Sequence, residues 1–109
     1  MNEARVTREG IRIHGPEDFA GMHEAGRVAA TILDEVGPLV VPGVTTGALD
    51  DFIRRRVEET GSTSATIGYR GYQHASCISV NHVVCHGIPG DKVLKEGDIV
   101  NIDHTVIVD

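Results

Sequence analysis

The fold of this chain is decided by residues 68–103, which read GYRGYQHASCISVNHVVCHGIPGDKVLKEGDIVNID. Glycine-rich segments in this stretch alternate with short apolar runs, a pattern typical of strands joined by turns. We expect two short strands, residues 77–80 and 83–85, on either side of the turn-prone Asn81. A longer strand should follow over residues 98–109. The second half of the chain is therefore predicted to form an antiparallel-rich sheet.

The first half of the chain predicts two helices. Apolar residues recur at three- and four-residue steps from Pro16 onward, and Gly37 with Pro38 stops the pattern. The stripe consists of Phe19, Met22, Ala25, Gly26, Ala29, Ile32, Leu33 and Val36. A second helix should begin with Thr45 or Thr46 as its N-cap and end at Gly61. Its apolar stripe consists of Leu49, Phe52, Ile53 and Val57.

Composition limits the classes of protein that this chain can be. The 109 residues suffice for one domain of α/β or α+β class, with two helices packed on the sheet. A net charge of -6 disfavours DNA and anionic membranes as partners. The sequence has no apolar run long enough to span a bilayer, and its two cysteines form no CxxC pair. We expect a cytoplasmic protein with reduced thiols.

The last predicted strand places a carboxylate on its polar face. Alternation separates the Val100 and Ile102 side chains from that of Asp103, which shares its face with Asn101 and Thr105. Aspartate is rare inside strands and needs a partner or a metal ion when it faces a core. An exposed edge position, or a hydrogen bond to a nearby loop, is the alternative. His104 points the other way, so it cannot chelate the same ion as Asp103.

Three histidines and two tyrosines lie near the predicted strands. His86 follows an apolar run and precedes a glycine, where its ring could hydrogen-bond a substrate carbonyl or amide or could simply be packed. Together with His86, His74 and His82 suggest a metal site, but a predicted turn separates His74 from the other two. Tyr69 and Tyr72 lie in a glycine-rich loop that could wall an apolar pocket or pack down as an ordinary loop.

Residues 68–103 resemble the core signature of type I methionine aminopeptidases. In that family GYxGYxxxxCxSxNxVVxHGIP leads to DGDIxNID, and this chain has EGDIVNID at the second motif. The upstream segments MHEAGRVAATILD, residues 22–34, and VPGVTTGALDDFI, residues 41–53, are similar to the family as well. The resemblance covers residues 11–109.

The resemblance implies a pita-bread fold, of which residues 1–109 would be the N-terminal half of the catalytic domain without its C-terminal half. It implies two divalent metal ions (Co, Mn, Fe or Zn) that activate water to remove the N-terminal methionine from nascent polypeptides. The ribosome is an additional candidate partner. Proline dipeptidases and creatinase-like hydrolases share this fold, but the GYxGY and HGIP segments favour the methionine-specific branch.

The resemblance also assigns roles to individual residues. Asp103 matches the first carboxylate ligand of the metal ions. His86 matches the histidine that contacts the scissile amide of the substrate and stabilises the developing negative charge. The walls of the methionine pocket correspond to Tyr69, Tyr72 and Cys77. Thr66 stands where many relatives carry a cysteine.

The other ligands of the family are a second aspartate, a histidine and two glutamates, and Asp109 falls short of the second aspartate's position. We therefore expect weak metal binding or none, and negligible activity, for residues 1–109 alone. The alternative is a non-catalytic member of the fold that binds peptides or the ribosome. The presence of both Asp103 and His86 favours the enzyme, because a pure binding module has no chemical need for that pair.

Overall fold

The computed structural model describes residues 5–108, which form two helices and six short strands. The helices are α1 (Pro16–Val36) and α2 (Thr46–Glu59). The strands are β1 (Arg5–Val6), β2 (Arg12–Ile13), β3 (Thr63–Ser64), β4 (Ser76–Val80), β5 (Val100–His104) and β6 (Val106–Ile107). They pair antiparallel as β1 with β2, β3 with β6, and β4 with β5. The predicted α+β class is confirmed.

Helix α1 has the predicted bounds, with Pro16 in its first turn and Gly37 as its C-cap. Its predicted apolar stripe is wrong in the N-terminal half, where Phe19 and Met22 are 64% and 73% exposed. The buried positions are Val28, Ile32 and Val36. Only the C-terminal half of the helix contributes buried side chains, because that half packs against α2 and β6.

Helix α2 begins where its cap signal predicts. The Thr45 hydroxyl accepts a hydrogen bond from the amide of Ala48 at 3.1 Å, which satisfies one of the free donors of the first turn. Gly61, just beyond the helix, has a φ of +76°, as expected of a left-handed end. The buried side of α2 consists of Thr46, Leu49, Asp50, Ile53 and Val57. This side faces the strands and the end of α1.

Strands β4 and β5 separate the core from the opposite side of the molecule. Their ladder pairs Ile78 with Ile102 and Cys77 with Asp103. Ile78 joins the buried cluster formed with the helices, and Ile102 packs against that cluster. Because successive residues of a strand point to opposite faces, Cys77 and Asp103 lie on the side away from the helices.

Two strand predictions differ from the structure. Residues 83–85 form no strand: Val83 donates to the Val80 carbonyl in a turn, and Val84 is 88% exposed. The long strand predicted over residues 98–109 is divided at Thr105, because β5 pairs with β4 while β6 pairs with β3. Its last residue, Asp109, lies outside the described residues. Neither helix of residues 5–108 has the long apolar stretch that a bilayer crossing requires.

Candidate functional site

An open cavity of about 710 Å³ lies on the strand face opposite the helices. All five residues predicted to form the site line it: Tyr69, Tyr72, Cys77, His86 and Asp103. Thr66, the position where the resemblance showed a departure, lines the same cavity. The structure therefore brings together residues from the glycine-rich loop of residues 68–72 (the aromatic loop), from β4 and β5, and from the segment that follows β4.

Asp103 offers a carboxylate to this cavity. Its side chain is exposed, and none of residues 5–108 donates a hydrogen bond to it or pairs with it as a cation. Carboxylate oxygens without a protein donor are ligands that divalent cations accept, so Asp103 fits one position of a metal site. Within residues 5–108, no three His, Cys, Asp or Glu side chains lie close enough to hold an ion together. Among the described residues Asp103 could therefore supply only one ligand of a metal site.

His86 is held at the cavity by the backbone of the next residue. The Ile78 amide donates to the Gly87 carbonyl at 2.8 Å, and the Gly87 amide donates to the Ser79 hydroxyl at 3.0 Å. A Cβ on Gly87 would lie 2.1 Å from the Ile78 carbonyl oxygen, so only glycine allows this approach. His86 itself has a φ of 59°, an uncommon conformation for a residue with a side chain. Close packing on β4 therefore sets the position of the backbone that carries the imidazole.

The aromatic loop is shaped by a glycine turn. Gly68 has a φ of +85°, and its amide donates to the Tyr72 carbonyl at 2.6 Å, which closes the loop. Tyr69 is 63% exposed at the cavity, and the Arg70 guanidinium lies 5.4 Å from the centre of its ring. The Thr66 hydroxyl donates to the His74 carbonyl at 2.7 Å, so this side chain ties the two ends of the loop together.

Tyr72 is the half-buried wall of the cavity. Its hydroxyl donates to the Ser76 carbonyl at 2.7 Å. Burial, followed by the neighbouring Cys77, raises the pKa of the Tyr72 phenol well above its usual range. The phenol is therefore neutral at physiological pH, and the cavity carries an uncharged aromatic wall beside a thiol. Such a lining suits an apolar or thioether side chain.

Asp50 is a polar residue near the site that the sequence analysis missed. It is buried, at 2% exposure, and its carboxylate accepts a hydrogen bond from the Ser76 hydroxyl at 2.6 Å. His74, one of the three histidines considered for a metal site, places Nδ1 3.4 Å from the second oxygen of Asp50. The available signal was position: Asp50 lies on the buried stripe of α2, three residues before Ile53.

Comparison with known proteins identifies the family. Residues 20–109 match the sequence profile of metallopeptidase family M24. The chain belongs to this family. It is 55% identical over 104 residues to the methionine aminopeptidase of Escherichia coli strain K12. It is 48% identical over 99 residues to the methionine aminopeptidase of Rickettsia prowazekii. Each match covers 91% of this chain and 38% of the relative, so the chain spans less than two fifths of these M24 proteins.

Solved structures of the M24 family agree with the fold. The methionine aminopeptidase of Rickettsia prowazekii superposes with a TM-score of 0.88 at 48% identity, covering 90% of this chain and 40% of that protein. The enzyme of Thermotoga maritima gives a TM-score of 0.85 at 39% identity, covering 89% and 39%. The fold predicted from the resemblance, part of a pita-bread domain, is confirmed.

Proposed function

We propose that this chain contributes the methionine-binding wall and one metal ligand to a methionine aminopeptidase, which removes the N-terminal methionine from nascent polypeptides. The observation that carries the proposal is that Asp103 and His86 line the same cavity as the two tyrosines and Cys77. Had the Asp103 carboxylate and the imidazole been on opposite faces of the strands, they could not serve one reaction. Sequence similarity to methionine aminopeptidases supports the same substrate.

Each residue has a task that its surroundings allow. Asp103 would hold a divalent ion with its carboxylate. His86, at the cavity and next to a backbone fixed on β4, would donate a hydrogen bond to the substrate's scissile peptide group. The aromatic wall of Tyr69 and Tyr72, with Cys77, would enclose the thioether side chain. The volume of about 710 Å³ lies within the range of about 300–1,000 Å³ typical of small-ligand sites.

A pair of Co, Mn, Fe or Zn ions is part of the proposal. The chemistry that such ions supply to a peptidase is polarisation of the scissile carbonyl and activation of water near neutral pH. One carboxylate cannot hold two ions tightly, and the described residues offer no group of three ligands. We therefore propose that residues 1–109 correspond to the N-terminal half of the catalytic domain and have negligible peptidase activity by themselves.

The proposal also includes the cellular location of the reaction and a candidate partner. Nascent polypeptides are cytoplasmic substrates, so the proposed location is the cytoplasm and the ribosome is a candidate partner. With a net charge of -6, contact with the ribosome should involve its proteins rather than its RNA. Co-sedimentation with ribosomes at physiological salt tests this part separately. Recovery of the chain only in the supernatant would remove the ribosome from the proposal.

Metal binding at Asp103 can be tested on the chain itself by paramagnetic broadening of amide NMR signals with Mn²⁺. We expect broadening centred on Cys77 and Thr105, which line the cavity with Asp103, and its loss in Asp103→Asn. Asp34→Asn, which removes an exposed carboxylate from α1, is the matched control and should broaden as the parent does. Equal broadening in Asp103→Asn would contradict the proposed ligand.

Substrate binding is tested by titration with L-methionine, with L-glutamate as a control amino acid. The amide signals of Tyr69, Tyr72 and Cys77 should shift with L-methionine and remain in place with L-glutamate. An assay of methionyl-peptide hydrolysis with added Mn²⁺ or Co²⁺ should show negligible turnover by residues 1–109. Absence of any methionine-dependent shift would refute the proposed pocket, and turnover would refute the proposed dependence on further ligands.

A further inference from the structure

The buried carboxylate of Asp50 makes contacts that the proposed reaction does not use. Its two oxygens have different partners: Oδ1 accepts from the Ser76 hydroxyl at 2.6 Å, and Oδ2 lies 3.4 Å from His74 Nδ1. Both partners lie in residues 73–76, a segment in which His74 lies just before β4 and Ser76 is the first residue of β4. Burying a carboxylate is costly unless its oxygens are satisfied, so this arrangement depends on both contacts.

A second residue of α2 holds the same segment. Arg54, one helical turn after Asp50, donates from Nη2 to the Gln73 carbonyl at 2.5 Å. Residues four apart lie on the same side of a helix, so the two side chains act on neighbouring points of the chain. Residues 73–76 are thus attached to the helix at two levels. Arg54 binds the backbone of the segment, and Asp50 contacts its side chains.

Residues 73–76 connect the two side chains of the half-buried cavity wall, Tyr72 and Cys77. The Tyr72 hydroxyl donates to the Ser76 carbonyl, and the rings of Tyr72 and His74 meet edge to face with centres 5.4 Å apart. Cys77, which follows Ser76 directly, lines the cavity as well. Both polar partners of the Asp50 carboxylate are therefore in contact with, or adjacent to, a cavity-lining side chain.

We propose that Asp50 is a positioning residue that sets the Tyr72 and Cys77 wall for the methionine side chain, acting through Ser76 and His74. The inference rests on the proposed function, because it assigns that wall to methionine. A carboxylate suits this task because one oxygen accepts the Ser76 hydrogen bond while the other lies within ion-pair distance of His74. An apolar residue at this position would pack in the core but leave the Ser76 hydroxyl without this acceptor and the His74 ring without its acidic neighbour.

The reactivity of the Cys77 thiol reports on how tightly the Tyr72 and Cys77 wall is held in place. In a Cys85→Ser background, Cys77 is the single remaining thiol, and its alkylation rate with iodoacetamide can be followed by mass spectrometry. Ser76→Ala removes one hydrogen bond while retaining the Asp50 carboxyl group, and Asp50→Asn alters both contacts. We expect each to raise the Cys77 rate about fivefold to tenfold, the effect expected for loss of one buried hydrogen bond. Asp51→Asn, on the exposed neighbour of Asp50, is the matched control and should leave the rate unchanged.

Thermal unfolding is measured for each variant so that only folded proteins are compared. Parent-like rates in folded Ser76→Ala and Asp50→Asn would overturn the proposal. An equal acceleration in Asp51→Asn would overturn it too, because the effect would then be general to the helix. If Asp50→Asn does not fold, Ser76→Ala decides alone, since it deletes only a hydroxyl group.

Protection of Cys77 by L-methionine separates this proposal from the proposed function. In the parent, methionine should slow alkylation, and the half-protecting concentration should rise about tenfold in Ser76→Ala while Asp51→Asn matches the parent. Unchanged methionine affinity in a variant that alkylates faster would refute the positioning role alone. Absence of protection in the parent would refute the methionine pocket, and the alkylation rates would still show whether Asp50 restrains the wall.

Discussion

Cys77 on β4 and Asp103 on β5 lie directly opposite each other in the antiparallel ladder. Opposed residues of a ladder point to the same face, so the thiol and the carboxylate share one wall of the cavity. The next pair, Ile78 and Ile102, points toward the helices. A register shift of one residue would turn the site side chains toward the core and the isoleucines toward the cavity. Burial of the isoleucines therefore also fixes the register that the site requires.

Gly87→Ala is expected to displace His86 and destabilise the fold by about 1–3 kcal/mol, the usual cost of forcing extra atoms into packed structure. The reason is the 2.1 Å approach of a Cβ to the Ile78 carbonyl. Chemical denaturation gives the free energy of unfolding, and the NMR signals of the imidazole report its position. Gly90→Ala is the control, because a Cβ there meets nothing within 4 Å. Equal stability of the two variants would contradict the packing argument.

Two helical glycines should respond in opposite directions to alanine. Gly47→Ala places a Cβ 2.8 Å from the Gly90 carbonyl oxygen and should destabilise the fold by about 1–3 kcal/mol. Gly26→Ala, in an exposed part of α1 with open space at its Cβ, should stabilise it by about 0.5–1 kcal/mol. Thermal melting of both proteins checks the signs. A stabilising Gly47→Ala would show that the loop around Gly90 moves away at little cost.

Stability at alkaline pH should depend on Tyr72. Because burial and Cys77 raise its folded-state pKa, the neutral phenol contributes stability that is complete below the unfolded pKa, about 10. That contribution is lost as pH rises through the folded pKa. Tyr72→Phe should lower stability by about 1 kcal/mol at neutral pH through the lost hydrogen bond to Ser76. It should also flatten the fall in stability above pH 10.

The control for this prediction is Tyr69→Phe, which alters the exposed tyrosine of the same loop. At neutral pH its unfolding free energy should stay close to that of the parent. Lysines and thiols ionise in the same range, so the comparison is between the two variants rather than with a single profile. If Tyr72→Phe and the parent lose stability with the same slope above pH 10, the assigned burial of the phenol is wrong.

Removal of the α2 cap should weaken the helix that carries Asp50. Thr45→Ala deletes the acceptor of the Ala48 amide and should cost about 1 kcal/mol of unfolding free energy. Thr45→Ser preserves the hydroxyl and should differ little from the parent. Urea denaturation followed by circular dichroism measures both. Equal destabilisation by serine and alanine would point to the threonine methyl group rather than the cap.

The helices could be predicted from the sequence because their signals are local. Pro16 and Gly37 mark the ends of α1, while Thr45 and Gly61 mark the ends of α2. The buried side of α1 was less predictable. Phe19 fits the periodicity, but its exposure depends on which other elements reach the N-terminal half of the helix.

Strand pairing depended on contacts distant in sequence. Residues 83–85 are apolar enough for a strand, yet the chain turns away after Asn81 and returns to β4 only at Gly87. The division of the last strand at Thr105 follows from two different partners, β4 and β3. The alternation of a single strand contains no information about a change of partner.

The candidate site was predicted through the resemblance, and the structure places its five residues around one cavity. Asp50 was not predicted as part of it because Ser76 and His74, which contact it, lie more than twenty residues away in sequence. A carboxylate on the buried stripe of a helix indicates only that it needs polar partners. Which residues these are can be known only from the three-dimensional structure.

The change of strand partner at Thr105 connects the two sides of the cavity. One uninterrupted segment pairs with β4 beneath Asp103 and then with β3, next to the loop that carries the tyrosines, and the Ala65 amide donates to the Thr105 carbonyl at 3.0 Å. Backbone hydrogen bonds therefore connect the strand that carries Asp103 to the residues that precede the tyrosine loop, so the two sides of the cavity are linked through the main chain and not only through side chains.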